Sequence, residues 1–123
     1  MERVPLELAL GVIGRLGFYV RDEGLLESAL ARPATTVYGT PAYPSLAQAA
    51  AAQSESLARN HALADGNKRT TFVLLNVFLS LNDLQLVADN DATFDYILDV
   101  AQGKLGLEES AAFLEADIRR WQD

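Results

Sequence analysis

The stretch Gly66-Asn67-Lys68-Arg69-Thr70-Thr71-Phe72-Val73-Leu74-Leu75-Asn76-Val77-Phe78-Leu79-Ser80-Leu81 decides the architecture. Phe72, Val73, Leu74, Leu75, Val77, Phe78, Leu79 and Leu81 leave almost no polar face. A helix that is apolar nearly all round belongs inside a bundle of other helices. The pattern predicts a helix over Gly66 to Leu81 at the centre of such a bundle, ended by Asn82 in a left-handed conformation.

The flanking segments supply its neighbours. Ser45 opens a long alanine-rich helix that runs to about Asn60, whose small residues allow close packing. Upstream, Leu6, Leu8, Leu10, Val12, Ile13 and Leu16 form a first apolar helix, with Pro5 tolerated in its first turn. Asp22 is placed to cap a second, carrying Leu25, Leu26, Ala29 and Leu30, which Pro33 stops. Between them and Ser45, the residues Thr35, Thr36, Gly39, Thr40, Pro41 and Pro44 read as a loop from Ala34 to Pro44, with a short extended piece at Thr36-Val37-Tyr38. Downstream, a fifth helix runs from about Ala92 to Ala101 with Phe94, Ile97, Leu98 and Ala101 on one face and Gly103 past its end. A sixth runs from Glu108 to Trp121 with Phe113, Leu114, Ile118 and Trp121 as its stripe. No strand–helix alternation is present, so the fold class is all-α, a single domain over residues 1–123 built of about six helices.

Composition narrows the function. Half of the 123 residues are apolar and none is cysteine, which excludes a disulfide framework, a thiolate nucleophile and a Cys-ligated metal. The net charge of −7 argues against direct binding of DNA or RNA. The acidic start Met-Glu-Arg-Val-Pro-Leu-Glu is unlike a secretory signal, and no run of about 18 apolar residues could span a membrane. The expected compartment is the cytosol.

Against this acidic background, Lys68 and Arg69 fall in the first turn of an apolar helix. Free backbone N–H groups and the positive end of the macrodipole lie there, so cations are misplaced by about 0.3–1 kcal/mol each. An anion turns the misfit into an advantage, and a phosphate suits a helix N-terminus with a glycine, an amide and two cations. Gly66 permits close approach or positive φ. Asp65 is a hard oxygen donor where a polyphosphate needs Mg²⁺. His61 is the only histidine, a residue type suited to general-base work near neutral pH. Singly, each has an ordinary explanation: a capping or core histidine, an Asp-Gly turn with Asp65 as helix cap, a solvated Lys-Arg face. Together within nine residues they make the parts of a phosphoryl or nucleotidyl transfer site. The run is not a Walker A loop, since the first glycine and the preceding strand are missing.

The run His61-Ala62-Leu63-Ala64-Asp65-Gly66-Asn67-Lys68-Arg69 resembles the signature of the Fic/Doc family, roughly H-x-F-x-D/N-x-N-x-R. Lysine at position 68, where adenylyltransferases of the family carry glycine, is similar to the Doc branch, the toxins of Phd–Doc toxin–antitoxin modules. Arg21 to Leu30, Arg32-Pro33 and Tyr43-Pro44 also look like the family's upstream segment. Leu63 stands where the motif usually has Phe; both are apolar anchors.

The resemblance implies the compact helical Fic fold with a flap loop, and matches the loop from Ala34 to Pro44 to that flap, where a target segment would dock by its backbone. It implies a kinase that uses ATP and Mg²⁺ to phosphorylate a threonine of elongation factor Tu and so halts translation. His61 would then be the general base and Asp65 the Mg²⁺ ligand. Gly66, Asn67, Lys68 and Arg69 would bind the nucleotide phosphates, with the lysine filling space and reorienting the nucleotide. A Phd-like antitoxin is the implied partner. No Ser/Thr-x-x-x-Glu-Gly inhibitory helix is evident, so inhibition is expected from outside the chain. Two alternatives stand beside the kinase: AMP transfer to a protein hydroxyl, and an inactive Fic-fold module used for regulation.

Overall fold

The computed structural model describes residues 1–121. Among them are six α-helices: α1 (Leu6–Leu16), α2 (Glu23–Ala31), α3 (Leu46–Arg59), α4 (Asn67–Leu81), α5 (Asn90–Ala101) and α6 (Leu107–Asp117). Two small antiparallel pairs complete the fold, β1 (Thr36–Val37) with β2 (Thr40–Pro41), and β3 (Leu84–Leu86) with β4 (Ile118–Arg120). The all-α expectation holds, and no described helix is long and apolar enough to cross a membrane.

The caps form as the side chains demand. Asp22 accepts the Leu25 N–H at 3.0 Å. Ser45 and Gln48 exchange side-chain and backbone bonds of 3.1 and 3.0 Å, a reciprocal capping box. Pro33 ends α2 through a short 3₁₀ turn, Arg32–Ala34.

The centre of the bundle is α3, not α4. It packs against α2, α4, α5 and α6, and Ala49, Ala50, Ala51, Ala52, Gln53 and Ser54 are buried in succession. Alanine makes this possible, because a helix without bulk can be approached on every side. The large side chains of α4 need room: Leu74, Leu75, Phe78 and Leu79 face the core, while Asn76, Ser80 and Leu81 stay exposed. Phe72, half-buried, is covered by Phe94 of α5 with ring centroids 4.7 Å apart.

Three further expectations shift. Asp83 (φ 61), not Asn82, takes the left-handed conformation after α4. The Asn82 amide instead bonds the Phe78 carbonyl and both backbone groups of Glu2, pinning the start of the chain to the end of α4. The face that α5 buries is Thr93, Tyr96, Ile97 and Val100, rotated from the expected stripe; Tyr96 reaches the Ser110 hydroxyl of α6. Finally, α6 stops at Asp117, and Ile118–Arg120 pairs with Leu84–Leu86, leaving Trp121 more than half exposed. The unpaired edge of β3 wins those residues from the helix.

The loop between α2 and α3 is a hairpin whose turn residues, Tyr38 and Gly39, both have positive φ. In sequence it is followed by α3, a helix of 14 residues, about 20 Å long at 1.5 Å per residue, which ends just before the motif loop. The hairpin borders a groove of about 390 Å³ shared with Met1 and Asn82, beside the C-terminal end of α4.

Candidate active site

The chain leaves α3 at Asn60 and enters α4 at Asn67, so six residues must reverse its direction. Ala62 and Leu63 face inward and are buried, which makes Leu63 the apolar anchor the sequence suggested. His61, Ala64 and Asp65 face solvent. His61 has φ 55, a left-handed conformation unusual for a residue with a Cβ.

The α1–α2 connection holds this loop in place. The Arg21 and Asp22 N–H groups both donate to the Ala62 carbonyl, at 2.8 and 3.0 Å, and the Ala64 N–H reaches the Tyr19 carbonyl at 3.4 Å. Val20 and Leu63 thus form an antiparallel bridge. The other edge of Leu63 is taken by a side chain: the Asn67 amide accepts from the Leu63 N–H at 3.1 Å and donates to its carbonyl at 3.0 Å. Asn67, expected at the nucleotide phosphates, here staples the loop.

Gly66 sits at φ 81 as the residue preceding α4. A Cβ there would lie 2.5 Å from three ring atoms of Phe18. The glycine is therefore required twice, by its backbone conformation and by the ring laid against it. Gly17 (φ 84) ends α1 and turns the chain so that Phe18 can reach this point.

The groups left facing outward are those with chemistry. Asp65 spends one carboxylate oxygen on the Gly66 N–H at 2.8 Å. Lys68 and Arg69 are exposed in the first turn of α4, and neither makes an ion pair among the described residues. His61 presents its ring to solvent on the same loop. The expected residues His61, Asp65, Gly66, Asn67, Lys68 and Arg69 thus share one short turn at the N-terminal end of α4.

Among the described residues no three His, Asp or Glu side chains gather as a metal cage. The motif loop carries a single carboxylate, Asp65, and Mg²⁺ commonly takes one or two carboxylates and completes its shell with phosphate oxygens and water. Asp65, beside a helix N-terminus and two unpaired cations, fits that pattern.

Residue-type reasoning missed Phe18, Val20 and Arg21 as builders of the site. Phe18 could have been sought as the bulky partner of an obligatory glycine, but no periodicity reports a contact across more than 40 positions.

The profile of the Fic/DOC family matches residues 6–79, from α1 through most of α4, and so includes the buried α3 and the whole motif loop. Toxin Doc of Mycolicibacterium smegmatis (strain ATCC 700084 / mc(2)155) is 52% identical over 97 residues, covering 77% of this chain and 75% of that protein. The match spans more than half of the chain and contains the turn on which His61, Asp65, Lys68 and Arg69 converge, so this chain belongs to the Fic/DOC family.

Proposed function

We propose that this chain is a Doc-type toxin that transfers the γ-phosphoryl group of ATP to a threonine hydroxyl of elongation factor Tu and thereby stops translation. The observation that carries the reading is Lys68: an exposed cation, with no ion pair among the described residues, beside Arg69 in the first turn of α4, within a family motif that keeps His61, Asp65, Asn67 and Arg69 and carries Leu63 in place of Phe. The 52% identity to Toxin Doc supports the toxin role.

In this reading His61 accepts the proton of the attacking hydroxyl. The hydroxyl oxygen bonds to the γ-phosphorus as the bond to the β–γ bridging oxygen breaks, and ADP leaves. Lys68, Arg69 and the backbone N–H groups opening α4 hold the phosphates and offset the charge that develops. Asp65 would hold Mg²⁺, which when bound neutralises phosphate charge. Asn67 acts by fixing the loop geometry, and Gly66 by letting the loop turn against Phe18. The side chain of Lys68 occupies space that glycine leaves open in the adenylyltransferases, which favours an orientation exposing the γ-phosphoryl group.

A Phd-like antitoxin is the proposed partner and the cytosol the proposed site of action. Expression without the antitoxin should arrest growth, and His61→Ala should abolish the arrest. An arrest that persists undiminished in His61→Ala would instead favour a binding module.

The direct test is intact-mass analysis of purified elongation factor Tu with this protein, Mg²⁺ and ATP. One phosphoryl increment, absent with His61→Ala, is expected. An AMP increment would assign adenylyl transfer, and an unmodified target at high enzyme would refute the choice of substrate.

A further inference from the structure

We infer that Arg21 is a positioning residue for His61, holding the proposed base through its backbone carbonyl. The inference rests on the reading of His61 as that base. A guanidinium nitrogen of Arg21 donates to the His61 carbonyl at 2.9 Å, across 40 positions of sequence. The side chain is exposed and makes no ion pair among the described residues, so this is the hydrogen bond in which it is engaged there.

His61 needs such support because of its conformation. At φ 55 the residue pays a steric penalty that the surroundings must offset. The peptide on its C-terminal side is held at two points. The Ala62 N–H donates to the Asn60 side chain at 3.2 Å, and Asn60 is itself tied to the Leu25 carbonyl at 2.9 Å. The His61 carbonyl is taken by Arg21, whose own N–H is fastened to the Ala62 carbonyl at 2.8 Å. Arg21 therefore grips successive carbonyls, His61 by its side chain and Ala62 by its backbone, and fixes the peptide plane between them. The direction of the Cα–Cβ bond of His61 depends on that plane, and so does the place where the imidazole meets a substrate hydroxyl. A bond to an ionised donor is stronger than a neutral one, which suits a clamp on an exposed loop. Arg21 is also outside the nine-residue motif, so motif reading alone does not find it.

The test uses the fact that His61 is the only histidine in the chain. Its imidazole and backbone resonances can be followed without ambiguity in wild type, Arg21→Ala and Arg21→Lys. In Arg21→Ala the His61 and Ala62 amide signals are expected to shift and broaden or split, while amides of the core of α3 stay in place. Arg21→Lys, which can still donate to the carbonyl, should restore most of the wild-type pattern. Unchanged His61 signals in Arg21→Ala would overturn the inference, whatever the reaction proves to be.

The kinetic arm reads the same residue in the transfer assay. Arg21→Ala should lower kcat about tenfold to a hundredfold, the range for a displaced reacting group. KM for ATP should stay within about twofold, and Arg21→Lys should recover most of the loss. A rise in KM with kcat unchanged would make Arg21 a nucleotide ligand and refute the positioning role. If no transfer occurs with wild type, the functional reading fails, and the resonance test still decides the clamp.

Discussion

Replacing Gly66 by alanine probes the contact on which the loop is built. Two costs add. An L-residue at φ 81 sits in the left-handed region, a penalty of about 1–2 kcal/mol. The new methyl would lie 2.5 Å from the Phe18 ring, and relieving such an overlap costs about 1–3 kcal/mol. Phe18 is only half-buried and can swing outward, which favours the lower part of that range. The total expected loss is about 2–4 kcal/mol, a large part of the 5–15 kcal/mol typical of a domain. Urea unfolding in the His61→Ala background, where toxicity does not limit expression, measures it as a lower midpoint at constant slope. Phe18→Ala removes the obstacle, so the double variant should be more stable than the summed single losses by about 1–3 kcal/mol. A Gly66→Ala protein as stable as its parent, or strict additivity with Phe18→Ala, would refute the claim that the ring and the glycine fit together.

Other outcomes follow from the same geometry. His61→Ala should leave stability nearly unchanged, because the ring is exposed, while lowering the transfer rate by about 10²–10⁴, measured by phosphate incorporation. Asn67→Ala strips Leu63 of both partners at its outer edge, and chemical unfolding should show a loss of about 1–3 kcal/mol. Lys68→Gln removes a cation from the wrong end of a helix and should stabilise the ligand-free protein by about 0.3–1 kcal/mol, while the thermal shift produced by ATP and Mg²⁺ shrinks. Burial pushes the Tyr96 hydroxyl up to about 12 from 10.0. The unfolded chain therefore loses that proton first, and the stability tied to the neutral phenol is complete below pH 10 and lost as pH rises towards 12. Over that window wild type should lose stability more steeply than Tyr96→Phe, by up to about 1.4 kcal/mol per pH unit, in unfolding curves taken across it.

Local chemistry determined much of this protein in advance. The caps Asp22 and Ser45, the stop at Pro33 and the existence of six helices depend on neighbours within four residues, which a single sequence displays. The site residues lie within nine consecutive positions, so their convergence on one turn needed no long-range information. Tertiary structure alone decided which helix is central: the apolar run of α4 looked like the core, yet the small residues of α3 allow four helices to approach it. It also turned the last residues of α6 into a strand, because β3 offered unpaired backbone groups that no local propensity reveals. The hairpin at Thr36–Pro41 was legible as a loop, but the groove it shares with Met1 and Asn82 exists only in the folded chain. The support of the motif by Phe18, Val20 and Arg21 was hidden for the same reason. Propensity and spacing act along the chain, whereas a ring against a glycine or a guanidinium on a distant carbonyl exists only after the chain has folded back on itself.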